Sequence, residues 1–224
     1  MPHDHLKTLL EQRWSCRAFL AAEVPRPVIR EMFEIAQRTA SWCNTQPWQV
    51  YLTSGAATKR FAEGLRAQAA QGAEQSPDFE MPGEYRGVYQ QRRREAGYAL
   101  YESLGITRAD WDARVAQRLR NFEFFGAPHV AVITTDRDQG VYGAIDCGGY
   151  VANLLLAAQS LQLAAIPQAA IAMYSAQVRH FLEIPGDRLV VCAVSFGYPD
   201  LQDPVNQFRT SRAGSADAVT FLDD

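Results

Sequence analysis

The sequence predicts an α+β fold, and three observations carry that expectation. Helical and strand-like segments are mixed without the regular βαβ rhythm of a doubly wound parallel sheet. Neither GxGxxG nor GxxxxGK[ST] occurs, so a dinucleotide fold or a P-loop is poorly supported. The chain has 224 residues, 47% apolar and 21% charged, which suits one domain with a sizeable core. No internal repeat or low-complexity tract argues otherwise.

Taken in order, "HLKTLLEQRW" spaces Leu6, Leu9, Leu10 and Arg13 as a short amphipathic helix that delivers Arg13 at its C-terminal end. "PRPVIREMFEIAQRTA" carries Ile29, Met32, Phe33 and Ala36 on one face, with prolines at its start, where helices accept them. "WQVYLTSG" alternates like a strand and closes on a turn signal, with Trp48 expected in the core. From about 56 to 120 the chain is polar and helical, and "QGAEQSPDFEMPGE" reads as a flexible connection. "HVAVITTD" is a short β-branched run that suits a central strand. "AIDCGGYVANLLLAAQSLQL" is apolar on nearly every side, so it belongs in the core or at a subunit interface. A helix near "SAQVRHFLEI", a strong strand "RLVVCAVSFGYPD" and a polar tail complete the chain.

Several function classes are disfavoured. A formal charge of −3 gives no reason to expect nucleic acid or an anionic membrane as a partner. Met1, His3, Asp4 and His5 begin the sequence without a signal-peptide pattern, and no apolar run approaches 18 residues, so a cytoplasmic protein is expected. Cys16, Cys43, Cys147 and Cys192 lack CxxC spacing and read as packing thiols in a reducing compartment. No two of His3, His5, His129 and His180 have zinc-ligand spacing, so no metal is expected, and GxSxG is absent.

Three stretches can carry chemistry. "RWSCR" puts Arg13, Ser15 and Arg17 where a helix ends, and guanidinium forks with a hydroxyl can cradle a phosphate. The competing reading is an ordinary solvated or salt-bridged surface turn. Arg209 and Arg212 in "FRTSR" repeat the pattern near the other end of the chain, and the two clusters could close on one anion. In "ASWCNTQPWQV", Asn44 and Gln46 suit the edge of a planar heterocycle, while Trp42 and Trp48 supply flat apolar area. The Arg92 to Arg94 run is most simply a solvated helix face.

Together, "QRWSCRAF", "ASWCNTQPWQV", "NFEFFGAPHVAVI", "LLLAAQSLQLAAIPQAA" and "SFGYPD…FRTSR" occur in an order that resembles the FMN-dependent nitroreductase family. The resemblance implies an α+β sandwich, a mainly antiparallel sheet flanked by helices, in an interlocked homodimer with FMN at the dimer interface. Residues 1–224 would form one domain, with a variable helical insertion at about 56–118 and a tail from about 200 to 224 wrapping the partner. Arg13, Ser15, Arg17 and Arg212 would surround the FMN phosphate, with Arg209 a second candidate and Trp14 among them in place of a small or polar residue. Ser41, Trp42 and Asn44 would reach the flavin of the neighbouring subunit. Pro167, Gln168, Ala169 and Ala170 would line the other flavin face, with the Ala170 backbone N–H at N5. Ala40 stands where Pro is common and Ala169 where several members carry Glu. The implied activity is ping-pong hydride transfer from NADH or NADPH through flavin N5 to a nitroaromatic or quinone-like acceptor. Flavin-fragmenting and dehalogenating members of the fold are the enzymatic alternatives, and a non-catalytic flavin-binding protein is a third reading.

Overall fold

The computed structural model describes residues 2–223. In chain order the helices are α1 (Pro2–Gln12), α2 (Arg26–Ala36), α3 (Gly55–Ala70), α4 (Gly87–Ser103), α5 (Trp111–Leu119), α6 (Gly140–Ser160), α7 (Ala169–Ala172) and α8 (Ser175–Leu182). The strands are β1 (Trp48–Ser54), β2 (His129–Asp136), β3 (Ala164–Gln168) and β4 (Arg188–Gly197). They form one sheet in the order β1-β2-β4-β3, with every neighbouring pair antiparallel. The α+β expectation and the central position of "HVAVITTD" both hold.

The alternation of a strand, two residues per repeat, divides the core into two layers. Ala131 and Ile133 of β2 face α2 and α6, meeting Ile29, Met32, Ala36, Tyr150 and Leu154. Val130 and Val132 face the other way, toward Phe61 and Leu65 of α3, Phe124, Ile171 and Val178. A strand covered on both faces needs no polar side, which is why β2 reads as a continuous apolar run. Trp48 is buried and stacks on Tyr150 with ring centroids 4.9 Å apart, as expected of a core residue.

Three local expectations change. Helix α6 is long and apolar enough on average to cross a bilayer. Within this chain it buries only Cys147, Tyr150, Leu154 and their neighbours, while Val141, Tyr142, Ile145, Gly148, Gly149 and Ala152 remain exposed. Asp146 and Asn153 tie it sideways, accepting from the Trp42 N–H at 3.1 Å and donating to Thr39 Oγ1 at 2.7 Å. The connection over 71–84 is not loosely held at its middle. The Ser76 N–H donates to Met173 C=O at 2.9 Å, Ser76 Oγ accepts from the Ala176 N–H at 3.1 Å, and Asp78 Oδ2 accepts from Arg179 Nη2 at 2.6 Å and the Val190 N–H at 2.7 Å. Cys43, expected to pack, is exposed on a turn at φ 47°, whereas Cys16 and Cys147 are buried.

The N-terminal segment after α1 is drawn onto the sheet. Ser15 bridges Ala165 in parallel fashion beside β3, the Leu20 N–H donates to Tyr198 C=O at 2.9 Å, and the Asp200 N–H donates to Ala18 C=O at 3.0 Å. Residues 13–20 therefore run between the edge strand β3 and the exit of β4. This contact brings the two arginine clusters of the sequence together.

Candidate functional site

A cavity of about 620 Å³ opens between α1, residues 13–17 and residues 208–212. Arg13, Trp14, Ser15, Arg17, Arg209 and Arg212 all line it, so the clusters at opposite ends of the chain meet on one cleft. None of its four arginines has a carboxylate within ion-pair distance among the described residues. Surface arginines normally find counter-charges or water, so four guanidiniums around one cavity constitute a demand for an anion. The electrostatics agree. Burial, then the facing charge of Arg212, lowers the Arg13 pKa from its ordinary value, and burial lowers that of Arg17. In each case the charged form is disfavoured until something negative is bound. The donor set and the charge imbalance fit the phosphate of the expected FMN.

Asn206 builds this cleft, and sequence reasoning missed it. Its side chain is 2% exposed and joins the two ends of the chain. Oδ1 accepts from the Arg17 N–H at 2.8 Å, while Nδ2 donates to Ala18 C=O at 2.9 Å and Asp200 C=O at 2.7 Å. The signal was legible as a turn: Asp203 accepts from the Val205 N–H and Pro204 begins a single 3₁₀ turn that ends on Asn206. Glu11, paired with Lys7 at 3.8 Å, also lines the cavity, and His3, Leu6, Lys7 and Leu10 were missed as lining residues too. They recur at i, i+3, i+4 and i+7 on α1, the same face that delivers Arg13.

Pro167, Gln168, Ala169 and Ala170 lie where β3 gives way to α7, two residues beyond the Ser15–Ala165 bridge. Burial alternates: Pro167 and Ala169 are exposed, whereas Gln168 is 2% exposed. The Gln168 side chain is therefore committed inward, donating to Asn121 C=O at 2.8 Å and accepting from Ser195 Oγ. Asn121 belongs to the irregular turn Arg120–Gly126, where buried Phe124 and Phe125 adopt φ 54° and 55°. Left-handed backbone at a bulky aromatic costs about 1–3 kcal/mol, and here it is enforced by packing. Ala170 sits in the first turn of α7, where a backbone N–H has no partner inside the helix. That donor is available at the outward side of the strand exit.

Ser41, Trp42 and Asn44 are not brought to the arginine cavity within this chain. They occupy a 3₁₀ turn beside α6, with Asn44 at φ 57° and Gln46 at φ 47°. Ser41 Oγ accepts from the Gln46 N–H at 2.9 Å. The Gln46 side chain is used internally, accepting from Gln37 at 3.1 Å and donating to Asn44 C=O at 3.1 Å. It is a turn-holding group and not a free recognition edge. Trp42 is 59% exposed and lies against Tyr142 with centroids 4.9 Å apart. The Asn44 side-chain amide makes no hydrogen bond among the described residues, which leaves its donor and acceptor for another molecule. Among the described residues no group of three or more metal-ligating side chains occurs.

Comparison with known proteins bears on this geometry. Residues 10–198 match the model of the nitroreductase family. The chain is 37% identical over 216 residues to the nitroreductase NfnB of Mycolicibacterium smegmatis, covering 95% of this chain and 91% of that protein. It is 32% identical over 220 residues to a 4-nitrobenzoate reductase of Nocardioides sp., covering 96% and 89%. In three dimensions it superposes with a TM-score of 0.94 on the crystal structure of an FMN-dependent nitroreductase NfnB from Mycobacterium smegmatis in complex with NADPH, at 35% identity over the whole of both chains. An FMN and NADPH-dependent nitroreductase NfnB from sphigopyxis sp. strain HMH gives 0.93 at 31% identity, covering 97% and 99%.

Proposed function

Because this chain belongs to the nitroreductase family, we propose that it is an FMN-dependent NAD(P)H oxidoreductase that reduces nitroaromatic or quinone-like acceptors. The observation that carries the reading is the cavity with four arginines, none of them ion-paired among the described residues, in which the one lining carboxylate, Glu11, is paired with Lys7 instead, at the edge of a fold whose relatives are named as FMN-dependent enzymes. Arg13, Arg17, Arg209 and Arg212, with the Ser15 hydroxyl, hold the FMN phosphate. Pro167 and Ala169 would present a low, apolar strand exit to the ring system, and the Ala170 N–H would be the donor offered to N5. Bound FMN supplies two-electron redox chemistry between NAD(P)H and the acceptor. The protein's own task is to position, to shield and to stabilise negative charge with fixed donors, so no side chain acts as a nucleophile.

The working unit is a homodimer. Two observations support it: on the α6 stripe from Val141 to Ala152, where Trp42 meets Tyr142, Val141, Ile145, Gly148, Gly149 and Ala152 stay exposed in one chain, and so do Leu6 and Leu10 of α1. In that arrangement Ser41, Trp42 and Asn44 serve the flavin of the other subunit, and the tail from about 200, with Phe221 and Leu222 exposed, lies over the partner. Residues 1–224 act as one domain, with α4 and α5 forming the bulk of an insertion over about 56–118. The protein is cytoplasmic, and NADPH, which the similar NfnB structures pair with FMN, is the expected donor. The test is direct. Purified protein should carry FMN or take it up stoichiometrically, and should oxidise NADPH only when a nitroaromatic such as 4-nitrobenzoate is added. Failure to bind FMN sinks the proposal, and destruction of the flavin without an acceptor points to the fragmenting alternative.

A further inference from the structure

Trp14 is unusual for its place. It lies between Arg13 and Ser15 in the wall of the arginine cavity, where the family resemblance leads one to expect a small or polar side chain. Its indole Nε1–H is buried without a partner among the described residues. That is a cost, so the ring must be retained for something other than its donor. What the ring meets is Arg209, whose guanidinium carbon lies 4.3 Å from the ring centroid. Arg209 is held on its other side as well, because Nη1 donates to Asn206 C=O at 2.8 Å and Phe208 C=O at 2.9 Å. These contacts use one nitrogen and leave Nε and Nη2 directed elsewhere, two donors in the planar spacing of a phosphate edge.

Arg212 is held differently. Its Nη1 donates to Thr210 Oγ1 at 2.8 Å and to the carbonyls of Thr210 and Ser211 at 3.3 and 2.8 Å. All of these partners are within two residues in the same exposed stretch, so nothing outside that stretch fixes the side chain. It also faces Arg13 as a like charge. An arginine carries about 2 kcal/mol of rotamer entropy, and a guanidinium already fixed before the ligand arrives surrenders less of it on binding.

We infer that Trp14 is a positioning residue for the anion site: its ring holds the Arg209 guanidinium ready, and Arg209, not Arg212, is the principal C-terminal ligand of the cofactor phosphate. The inference rests on the FMN reading above and sharpens it.

The experiment measures FMN and riboflavin affinity of the apo protein by quenching of flavin fluorescence. Trp14→Ala should weaken FMN about fivefold, the size of one exposed cation–π contact, and leave riboflavin, which lacks the phosphate, unchanged. Trp14→Phe keeps a ring face and removes the unpaired donor, so it should restore FMN affinity to within about twofold of wild type. Trp14→Ala in an Arg209→Ala background should add nothing, and Arg209→Ala should weaken FMN more than Arg212→Ala does. Additive losses in the double variant, a Phe variant as weak as the Ala variant, equal losses for FMN and riboflavin, or a larger effect at Arg212 would each overturn the inference while the FMN reading stands. A wild-type protein that binds neither flavin removes the reading on which it rests.

Discussion

Replacing Asn206 by Ala tests how the cleft is built. The side chain makes three hydrogen bonds at 2.7–2.9 Å from a position 2% exposed, two of them to the segment that carries Arg17. Each neutral hydrogen bond lost from a site that water cannot reach is worth about 1 kcal/mol, so Asn206→Ala should cost about 3 kcal/mol. For a chain of this length 1 kcal/mol moves the melting temperature by about 2–4 °C, which gives a drop of about 6–12 °C in the apo protein. The apo form matters because bound FMN stabilises the folded state by mass action and would mask part of the loss. Asn206→Asp sharpens the result: a carboxylate still accepts from the Arg17 N–H but sets negative charge against the carbonyls of Ala18 and Asp200. It should be no better than Ala. Melting by circular dichroism, with FMN titration of the same samples, provides the readout, and FMN affinity should fall at least about tenfold because the backbone of Arg17 loses its side-chain tie to the segment that carries Arg209. An apo melting temperature within about 2 °C of wild type, no more than 1 kcal/mol would move it, would refute the view that this one side chain ties the ends together.

Three further perturbations probe other parts of the fold. Asp78→Ala removes the acceptor shared by Arg179 and the Val190 N–H and leaves Arg179, whose Nε is already unpartnered, more exposed to the same problem; a loss of about 2–3 kcal/mol in urea denaturation is expected, with partial recovery in Asp78→Asn. Gly197→Ala would place a Cβ 2.8 Å from Pro128 Cδ, a ring atom that cannot swing aside, and should cost about 1–3 kcal/mol in the same assay. His129 accepts from the Val24 N–H at 2.9 Å through Nε2, and burial, opposed by Glu23, lowers its pKa from 6.5. Below about pH 6.5 the unfolded chain therefore binds the proton before the folded one does, so this contribution is complete above that pH and declines as pH falls through the folded value; the melting temperature of His129→Gln should fall less between pH 7.5 and 5 than that of wild type, and parallel curves would contradict the assignment.

What the sequence revealed follows the range of the underlying physics. Strands β1, β2 and β4 and helices α2 and α6 are legible because side-chain period and burial are local properties, carried by Ile29, Met32 and Ala36 or by the run Val130–Ile133. The paired arginine clusters were also legible as chemistry, since their residue types state a preference for phosphate wherever they lie. Asn206 was not, because its importance comes from partners nearly 190 residues away. The loop over 71–84 misled for the same reason. Its composition is that of a free connection, but Ser76 and Asp78 find donors on α8 and β4 that no local pattern displays. Cys43 misled differently: a free cysteine is more often buried than exposed, yet the left-handed turn at Cys43 and Asn44 leaves this one at the surface.

The cleft also explains why an acidic protein can hold a dense cationic site. A formal charge of −3 is a sum over the whole chain, whereas the potential in a cavity depends on which charges fold into it. Arg13 and Arg17 enter with the segment that bridges β3 at Ala165, and Arg209 and Arg212 enter after β4, once Asp200 has bonded to Ala18. Neither pair forms a cavity alone. Their meeting requires β3 on the edge beside β4, the bridge of residues 15–20 across both, and the Asn206 tie. The like-charge cost between Arg13 and Arg212 therefore appears only when the fold is complete, and the bound anion that relieves it acts on the folded state alone. The site is in that sense a brace between the chain ends, which couples anion affinity to the integrity of the sheet edge that leads into residues 167–170.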